Sequence, residues 1–280
     1  MTVDFKLLNT GYCSSLEKLA IKTAPWRCCQ FPAMFALIRH PKHGNILFDT
    51  GHSNKFYDLT NKFPMQIYRW LIHVEHNEKS GAASQLKELG ITPEEINYII
   101  ISHFHADHIG SLHDFPNAKF IYLQEAYDAV KNLNRFAALK AGFLSGLVPD
   151  DFIQRSQLLE QQPLVSLPEE YLPFKAGYKV FNDDSIIAID LPGHAHGQVG
   201  LFLQTTTHER IFLIADACWT SQSYLNLVPP HAISFLAMSG KEEYMQTLTK
   251  IHELKKNSPH IKIIPSHCNE VWNDIKNKAT

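Results

Sequence analysis

Residues 98–110 read YIIISHFHADHIG, an apolar run that leads directly into three histidines and one aspartate within positions 103 to 108. The run predicts a buried strand, because β-branched residues favour extended and packed backbone. His103 and His105 are two residues apart, so they point the same way on an extended segment. Imidazoles and carboxylates are good zinc ligands, which makes this strand end a candidate metal site. A polar surface loop is the alternative, since the chain has 16 histidines among 280 residues.

Three later strand ends repeat the arrangement of an apolar run followed by one ligand-type side chain. These side chains are His194 in the stretch LPGH, Asp216 in LIAD and His267 in IIPSH. Each of them alone is more typical of a strand-end cap or a core histidine. Together with His103, His105, Asp107 and His108 they make seven donors, which is enough for two metal ions.

Strand patterns occur on both sides of the first histidine cluster. We predict strands over residues 34–40, 45–49, 99–101, 118–123, 178–181, 185–191, 198–204, 210–214 and 261–264. The first two flank the turn 41–44 and form a hairpin. We predict helices over 80–89, from Thr92 onward and over 241–255. Two clusters of strands, each followed by a helix, fit a mixed α/β fold of two sheets with helices outside, although periodicity alone does not decide the topology.

Residues 124–175 differ in composition from the segments around them. They are mostly helix-compatible over 125–147 and are broken by several prolines after that. We interpret this segment as a helical insertion or cap within a single domain of residues 1–280. Apolar side chains in and near it either line a wall for an acyl chain or pack as core: Trp26, Phe31, Trp70, Phe136, Phe143, Leu144, Leu147, Phe152 and Trp219.

Composition excludes some partners and favours a compartment. The formal net charge of -2 argues against a nucleic-acid partner, which needs a basic surface. No apolar run approaches the roughly 20 residues that span a bilayer. The N-terminal residues lack the pattern of a secretory signal, and five cysteines are an odd number. We therefore expect a reduced, cytoplasmic protein.

The combined pattern HFHADH, PGH, a strand-ending aspartate and a late histidine resembles the metallo-β-lactamase superfamily, over nearly the whole chain. The resemblance implies a four-layer αββα sandwich with two divalent metal ions, zinc first, and iron, manganese or cobalt as alternatives. It implies that His103, His105 and His194 hold one ion, that Asp107, His108 and His267 hold the other, and that Asp216 bridges them. It also implies that Asp49, in the sequence DTG, orients a ligand histidine from behind.

Within this superfamily the chain is most similar in pattern to the N-acyl-homoserine lactonases, which are quorum-quenching enzymes. That resemblance implies opening of a lactone, or cleavage of a similar ester, by a metal-bound hydroxide, with Asp107 passing a proton to the leaving group. Lactonases usually carry a substrate-binding tyrosine three residues after the bridging aspartate, where this chain has Trp219. Either Trp219 lines an apolar pocket or packs as core, or Tyr224 supplies the hydroxyl.

Other activities share these ligands. A glyoxalase II-like thioesterase and an aryl- or phosphotriester hydrolase use the same metal chemistry. A mononuclear iron oxygenase on the same fold is a different class, disfavoured because the ligands of a second metal are present. A non-catalytic binding protein is a further class, disfavoured because all seven donors are intact. The expected partner is a small-molecule ester or lactone, and the sequence leaves the oligomeric state open.

Overall fold

A computed structural model describes residues 1–279, with side chains through residue 277. The chain divides into two compact units. The N-terminal unit comprises Asp4–Ser15 and Gln30–Gln157, and the C-terminal unit comprises Met1–Val3, Leu16–Cys29 and the residues from Leu158 onward. Among the described residues, no helix combines the length and the apolar character needed to cross a membrane.

The strands belong to two mixed sheets. In chain order they are β1 (Asp4–Leu16), β2 (Cys28–His40), β3 (Gly44–Phe48), β4 (His73–Glu75), β5 (Ile96–Ile100), β6 (Lys119–Tyr122), β7 (Ser156–Leu158), β8 (Leu164–Ser166), β9 (Ala176–Lys179), β10 (Ile186–Asp190), β11 (Val199–Gln204), β12 (Arg210–Ala215) and β13 (Lys262–Pro265). The α-helices are α1 (Glu17–Ala20), α2 (Lys55–Leu59), α3 (Gln66–Leu71), α4 (Ala82–Glu88), α5 (Gln124–Asp128), α6 (Arg135–Lys140), α7 (Ser221–Asn226), α8 (Lys241–Asn257) and α9 (Asn269–Ala279).

The sheet of the N-terminal unit has the order β4-β1-β2-β3-β5-β6-β7. Strands β2 and β3 form the predicted antiparallel hairpin, with Ile38 opposite Ile46. Strands β3, β5 and β6 run parallel. Because parallel neighbours end at the same edge of a sheet, the residues after β3 and β5 come together, and the Asp49 N–H donates to the Ile100 carbonyl at 2.9 Å.

The sheet of the C-terminal unit has the order β13-β12-β11-β10-β9-β8. Its strand pairs are antiparallel except β12 and β13, which are parallel. Helix α8 buries Leu248, Ile251 and Leu254, whose spacing places them on one helical face. They share a core with Phe202 and Phe212, whose rings stack at 3.9 Å. The two parallel strands bring the residues that follow β12 and β13 to the same edge.

The predicted strands are all present, with their ends shifted by a few residues, and so are the helices predicted at 80–89 and 241–255. The helix predicted from Thr92 is a single 3-10 turn, Pro93–Glu95. Its capping box is present, with the Thr92 N–H donating to Glu95 Oε2 at 2.7 Å. The turn stops at Ile96 because β5 begins there and its β-branched residues pair with β3.

Residues 124–175 contain α5, α6, the short strands β7 and β8, and 3-10 turns at Ser145–Leu147, Ile153–Arg155, Leu159–Gln161 and Glu169–Tyr171. The helices are short because Asn134 caps the start of α6 and Gly142 follows its end with a φ of +60°. Our interpretation of this segment as an insertion within one domain stays a prediction.

Candidate metal centre

The predicted ligands are divided between the two units, four in the N-terminal unit and three in the C-terminal unit. In the N-terminal unit they lie on the turn that follows β5. His103 and His108 are buried, whereas His105 and Asp107 are partly exposed. The centroid of the His103 ring lies 4.5 Å from the centroid of the His105 ring and 4.1 Å from that of the His108 ring. The motif therefore packs three imidazoles together at one strand end, as its spacing predicts.

A buried carboxylate supports this cluster from behind. Asp49 is fully buried, and its Oδ2 lies 2.7 Å from His108 Nδ1. The same carboxylate accepts hydrogen bonds from the backbone N–H and the hydroxyl of Ser102, both at 2.8 Å. The Ser102 hydroxyl also lies 2.9 Å from His103 Nδ1. One carboxylate thus fixes the orientation of His108 directly and that of His103 through Ser102, which is how ligand histidines are held in metal sites.

The loop after β3 is fastened to the histidine turn by its backbone. The Thr50 N–H donates to the His108 carbonyl at 2.8 Å, and the Gly110 N–H donates to the Gly51 carbonyl at 3.1 Å. Gly51 has a φ of +65°, and a Cβ there would overlap the side chain of Thr10. Glycine is required at this position because only it adopts this conformation at no steric cost.

The C-terminal unit brings its three predicted ligands together around one carboxylate. Asp216 Oδ2 lies 3.3 Å from His194 Nε2 and 3.2 Å from His267 Nε2. All three side chains are buried. Asp216 follows β12 and His267 follows β13, so the parallel pairing of these strands sets their proximity. One carboxylate oxygen therefore lies within 3.3 Å of two imidazole nitrogens, and all three side chains are of the types that bind zinc.

The turn that carries His194 is anchored on the start of α8. The Gly240 N–H donates to the Gly193 carbonyl at 3.1 Å, and the Ser239 N–H donates to the His194 carbonyl at 3.2 Å. The Thr247 hydroxyl donates to the Pro192 carbonyl at 2.7 Å. These hydrogen bonds fix the backbone of His194 and do not involve its imidazole ring.

The donor chemistry of both units fits divalent transition metals. The donors are imidazole nitrogens and carboxylate oxygens, most of them buried, and zinc accepts such mixed sets. In His108 the contact with Asp49 places the proton on Nδ1, so Nε2 is the coordinating atom that this orientation offers. In His194 and His267 it is also the Nε2 atom that is directed into the cluster, where it faces the Asp216 carboxylate.

The two candidate substrate contacts occupy different environments. Trp219 is partly exposed, and its ring lies 4.9 Å from that of His267. Tyr224 is buried in the core of the C-terminal unit, with its hydroxyl 3.5 Å from the Ile263 carbonyl. Burial raises the pKa of the Tyr224 phenol far above its ordinary value. The structure thus places Trp219 beside a predicted ligand and Tyr224 in the core.

The predicted apolar wall does not behave as one set. Phe31, Phe143, Leu144, Leu147 and Phe152 are buried core side chains. Trp26, Trp70 and Phe136 are 59%, 70% and 62% exposed, so they lie on the surface.

Ser102, which joins Asp49 to both buried histidines, was not among the predicted site residues. A signal for it was present, since a small hydroxyl residue between a buried strand and a histidine is well placed to bond the histidine's inner nitrogen. That signal is weak, because a serine at a strand end is also an ordinary turn residue.

Comparisons with known proteins agree with this geometry. The family model described as the metallo-beta-lactamase superfamily matches residues 31–256. An N-acyl homoserine lactonase of Azorhizobium caulinodans is 25% identical over 250 residues, which are 88% of this chain and 86% of that protein.

Solved structures show the same fold. One is an N-acyl homoserine lactone hydrolase with the product N-hexanoyl-L-homoserine at its catalytic metal centre; it aligns with a TM-score of 0.76 at 21% identity, over 98% of this chain and 97% of the other. Another is a dizinc quorum-quenching lactonase with a bound product, with a TM-score of 0.64 at 16% identity, over 95% and 91%. The predicted fold class is confirmed, and the chain belongs to the metallo-beta-lactamase superfamily.

Proposed function

We propose that this protein is a metal-dependent hydrolase that opens lactones, with N-acyl homoserine lactones as the substrate class. The observation that carries the proposal is the buried network of Asp49, Ser102 and His108, which orients a ligand histidine in a chain of this superfamily. The relative from Azorhizobium is named an N-acyl homoserine lactonase, and the solved structures cited above hold ring-opened products. These similarities support the choice of a lactone over other esters.

We further propose that the two ligand groups form one dinuclear centre. His103, His105 and His194 would hold one ion, Asp107, His108 and His267 the other, with Asp216 bridging. The position of Asp216 Oδ2 between the Nε2 atoms of His194 and His267 supports the bridging role. Zinc is the first choice, because it accepts mixed nitrogen and oxygen donors and one of the similar solved structures is a dizinc lactonase. Iron, manganese and cobalt accept the same donors.

The chemistry divides between the ions and the side chains. When bound, two divalent ions lower the pKa of water to about 7 and polarise the ester carbonyl. Asp49 keeps His108 in one tautomer, which preserves its basicity as a ligand. Asp107 is 15% exposed, and its Oδ2 lies 3.9 Å from His108 Nε2. A partly exposed carboxylate in the cluster can take a proton from the attacking water and pass it to the leaving alkoxide, so we assign that role to Asp107.

Trp219 is the proposed substrate contact in the C-terminal unit. Its ring lies against His267, and the indole N–H is a donor that cannot exchange a proton as a phenol does. Tyr224 is the second candidate, and it would reach a substrate only if its hydroxyl left the Ile263 carbonyl.

We also propose a reducing compartment, the cytoplasm. Among the described residues no disulfide joins any of the five cysteines, which include the neighbours Cys28 and Cys29. Proteins of oxidising compartments more often pair their cysteines.

The test combines metal content with lactone turnover. Protein purified without chelator is analysed for metal by mass spectrometry, and ring opening of N-hexanoyl homoserine lactone is followed before and after chelation and after zinc is restored. We expect two ions per chain, loss of activity on chelation and recovery with zinc.

A matched pair of variants separates ligand loss from surface effects. His267→Ala removes a buried ligand, whereas His260→Ala removes a histidine whose side chain is 54% exposed in the same unit. We expect the first to lose metal and activity and the second to lose neither. Two ions without lactone turnover would contradict the substrate, and a single iron would contradict the hydrolase and favour an oxygenase.

A further inference from the structure

We infer that the Tyr68 hydroxyl donates a hydrogen bond to the amide carbonyl of an N-acyl lactone, and that it thereby selects substrates that carry an acyl amide. This inference rests on the proposed function and deepens it. Tyr68 lies on α3 of the N-terminal unit and was not among the predicted site residues.

The hydroxyl lies beside a predicted metal ligand of the same unit. Gly142 lies close to both groups: a Cβ at this position would lie 3.4 Å from Tyr68 Oη and 3.1 Å from His105 Cδ2. The two atoms are therefore at most 6.5 Å apart, the sum of 3.4 and 3.1 Å. Cδ2 is bonded to Nε2 in the imidazole ring, so the ring edge near Gly142 leads to a potential coordinating nitrogen.

The position of the hydroxyl is fixed by packing. The Tyr68 ring contacts the buried ring of Phe56 at 5.4 Å between centroids. The Ala106 N–H donates to the Gly142 carbonyl at 3.1 Å, which ties the end of α6 to the histidine turn. Gly142 has a φ of +60°, a conformation that favours glycine. A side chain at position 142 would therefore crowd the His105 ring and meet the Tyr68 hydroxyl.

Exposed apolar side chains lie farther along the same two segments. Phe63, five residues before Tyr68, and Phe136, at the start of α6, are 61% and 62% exposed and contact each other at 5.8 Å. The segments that carry Tyr68 and Gly142 therefore also carry an exposed apolar pair. An N-acyl lactone combines an ester, an amide and an acyl chain, so it offers a partner to the imidazole, to the phenol hydroxyl and to the apolar pair.

Two substrates and one substitution test the assignment. N-hexanoyl homoserine lactone carries the amide, and γ-butyrolactone has the ester ring without it. We expect Tyr68→Phe to lower kcat/KM on the first by about tenfold, the effect of losing one hydrogen bond, and to change it by less than about twofold on the second. The variant keeps the ring and hence the contact with Phe56.

Tyr57→Phe is the matched control. It removes a hydroxyl from the neighbouring helix α2, where the Tyr57 hydroxyl donates to the Val74 carbonyl at 2.9 Å. We expect this variant to lose some stability and to keep the ratio of kcat/KM between the two lactones.

A binding measurement provides a readout that is independent of turnover. The probe is N-hexanoyl homoserine lactam, whose amide ring resists opening, titrated by calorimetry into metal-loaded wild type and Tyr68→Phe. We expect Kd to rise about tenfold in the variant with its metal content unchanged. Equal losses on both lactones, or no loss on the acylated one, would overturn the inference.

A failure of the proposed function would be distinguishable from a failure of the role inferred for Tyr68. A wild type that opens neither lactone would contradict the proposed function, and the lactam titration would then decide the role of Tyr68 alone. Equal or undetectable binding by the two proteins would overturn that role, and weaker binding by Tyr68→Phe would support it.

Discussion

Replacing Asp49 with asparagine isolates the orienting role of the buried carboxylate, because the side chain keeps its shape and loses its charge. In the wild type both oxygens accept: Oδ1 from the Ser102 N–H, and Oδ2 from the Ser102 hydroxyl and from His108 Nδ1. An amide has one acceptor oxygen and one NH₂ group. In either orientation, the NH₂ group of the asparagine would therefore face at least one of the donors on Ser102 and His108. Losing one buried, charge-assisted hydrogen bond costs about 1.5–3 kcal/mol.

The expected consequence is a loss of metal affinity. Outer partners of ligand histidines typically contribute about 10- to 100-fold in metal affinity or activity, which corresponds to about 1.4–2.8 kcal/mol and agrees with the hydrogen-bond value. The assay is chelator competition for zinc, with urea unfolding of the metal-free protein to measure stability. Asp4→Asn is the control, because it removes a carboxylate from a surface ion pair with Arg39, and such pairs contribute about 0–1 kcal/mol. A zinc affinity within about twofold of wild type in Asp49→Asn would refute the reasoning.

Three further substitutions test the C-terminal unit. In Gly193→Ala, a Cβ would overlap the backbone of Tyr244 at a φ of +121°, so we expect a loss of about 1–3 kcal/mol in urea unfolding together with weaker metal binding; unchanged stability would contradict the close approach. Trp219→Tyr keeps a ring against His267 and replaces the indole N–H by a hydroxyl, so we expect unchanged metal content and a higher kcat/KM on the lactone, and an unchanged kcat/KM would count against a substrate contact there. Tyr224→Phe removes a hydroxyl that faces the core, so we expect unchanged turnover and a stability loss within about 1 kcal/mol, whereas a fall in kcat/KM would identify Tyr224 as the substrate contact.

Part of the fold was predictable because its signals are local. The hairpin of β2 and β3 is encoded by two apolar runs around a turn, and α8 by apolar residues at helical spacing. Strand β1 carries no such signal, because Asn9, Thr10 and Gly11 interrupt its pattern. These residues are buried by contacts with distant parts of the chain: the Asn9 side chain accepts from the Ala33 N–H, and the Thr10 hydroxyl accepts from the His52 N–H.

The sequence by itself determined the kinds of donors and their positions at strand ends, since a run of β-branched residues followed by histidines needs no knowledge of the rest of the chain. The tertiary structure decided which groups meet. Asp216 meets His267 because β12 and β13 pair in parallel across a long stretch of sequence, and Asp49 reaches His108 because β3 and β5 do the same. Tyr224 and Tyr68 differ in the same way: burial directed one hydroxyl into the core and packing placed the other near His105, and neither outcome depends on a local pattern.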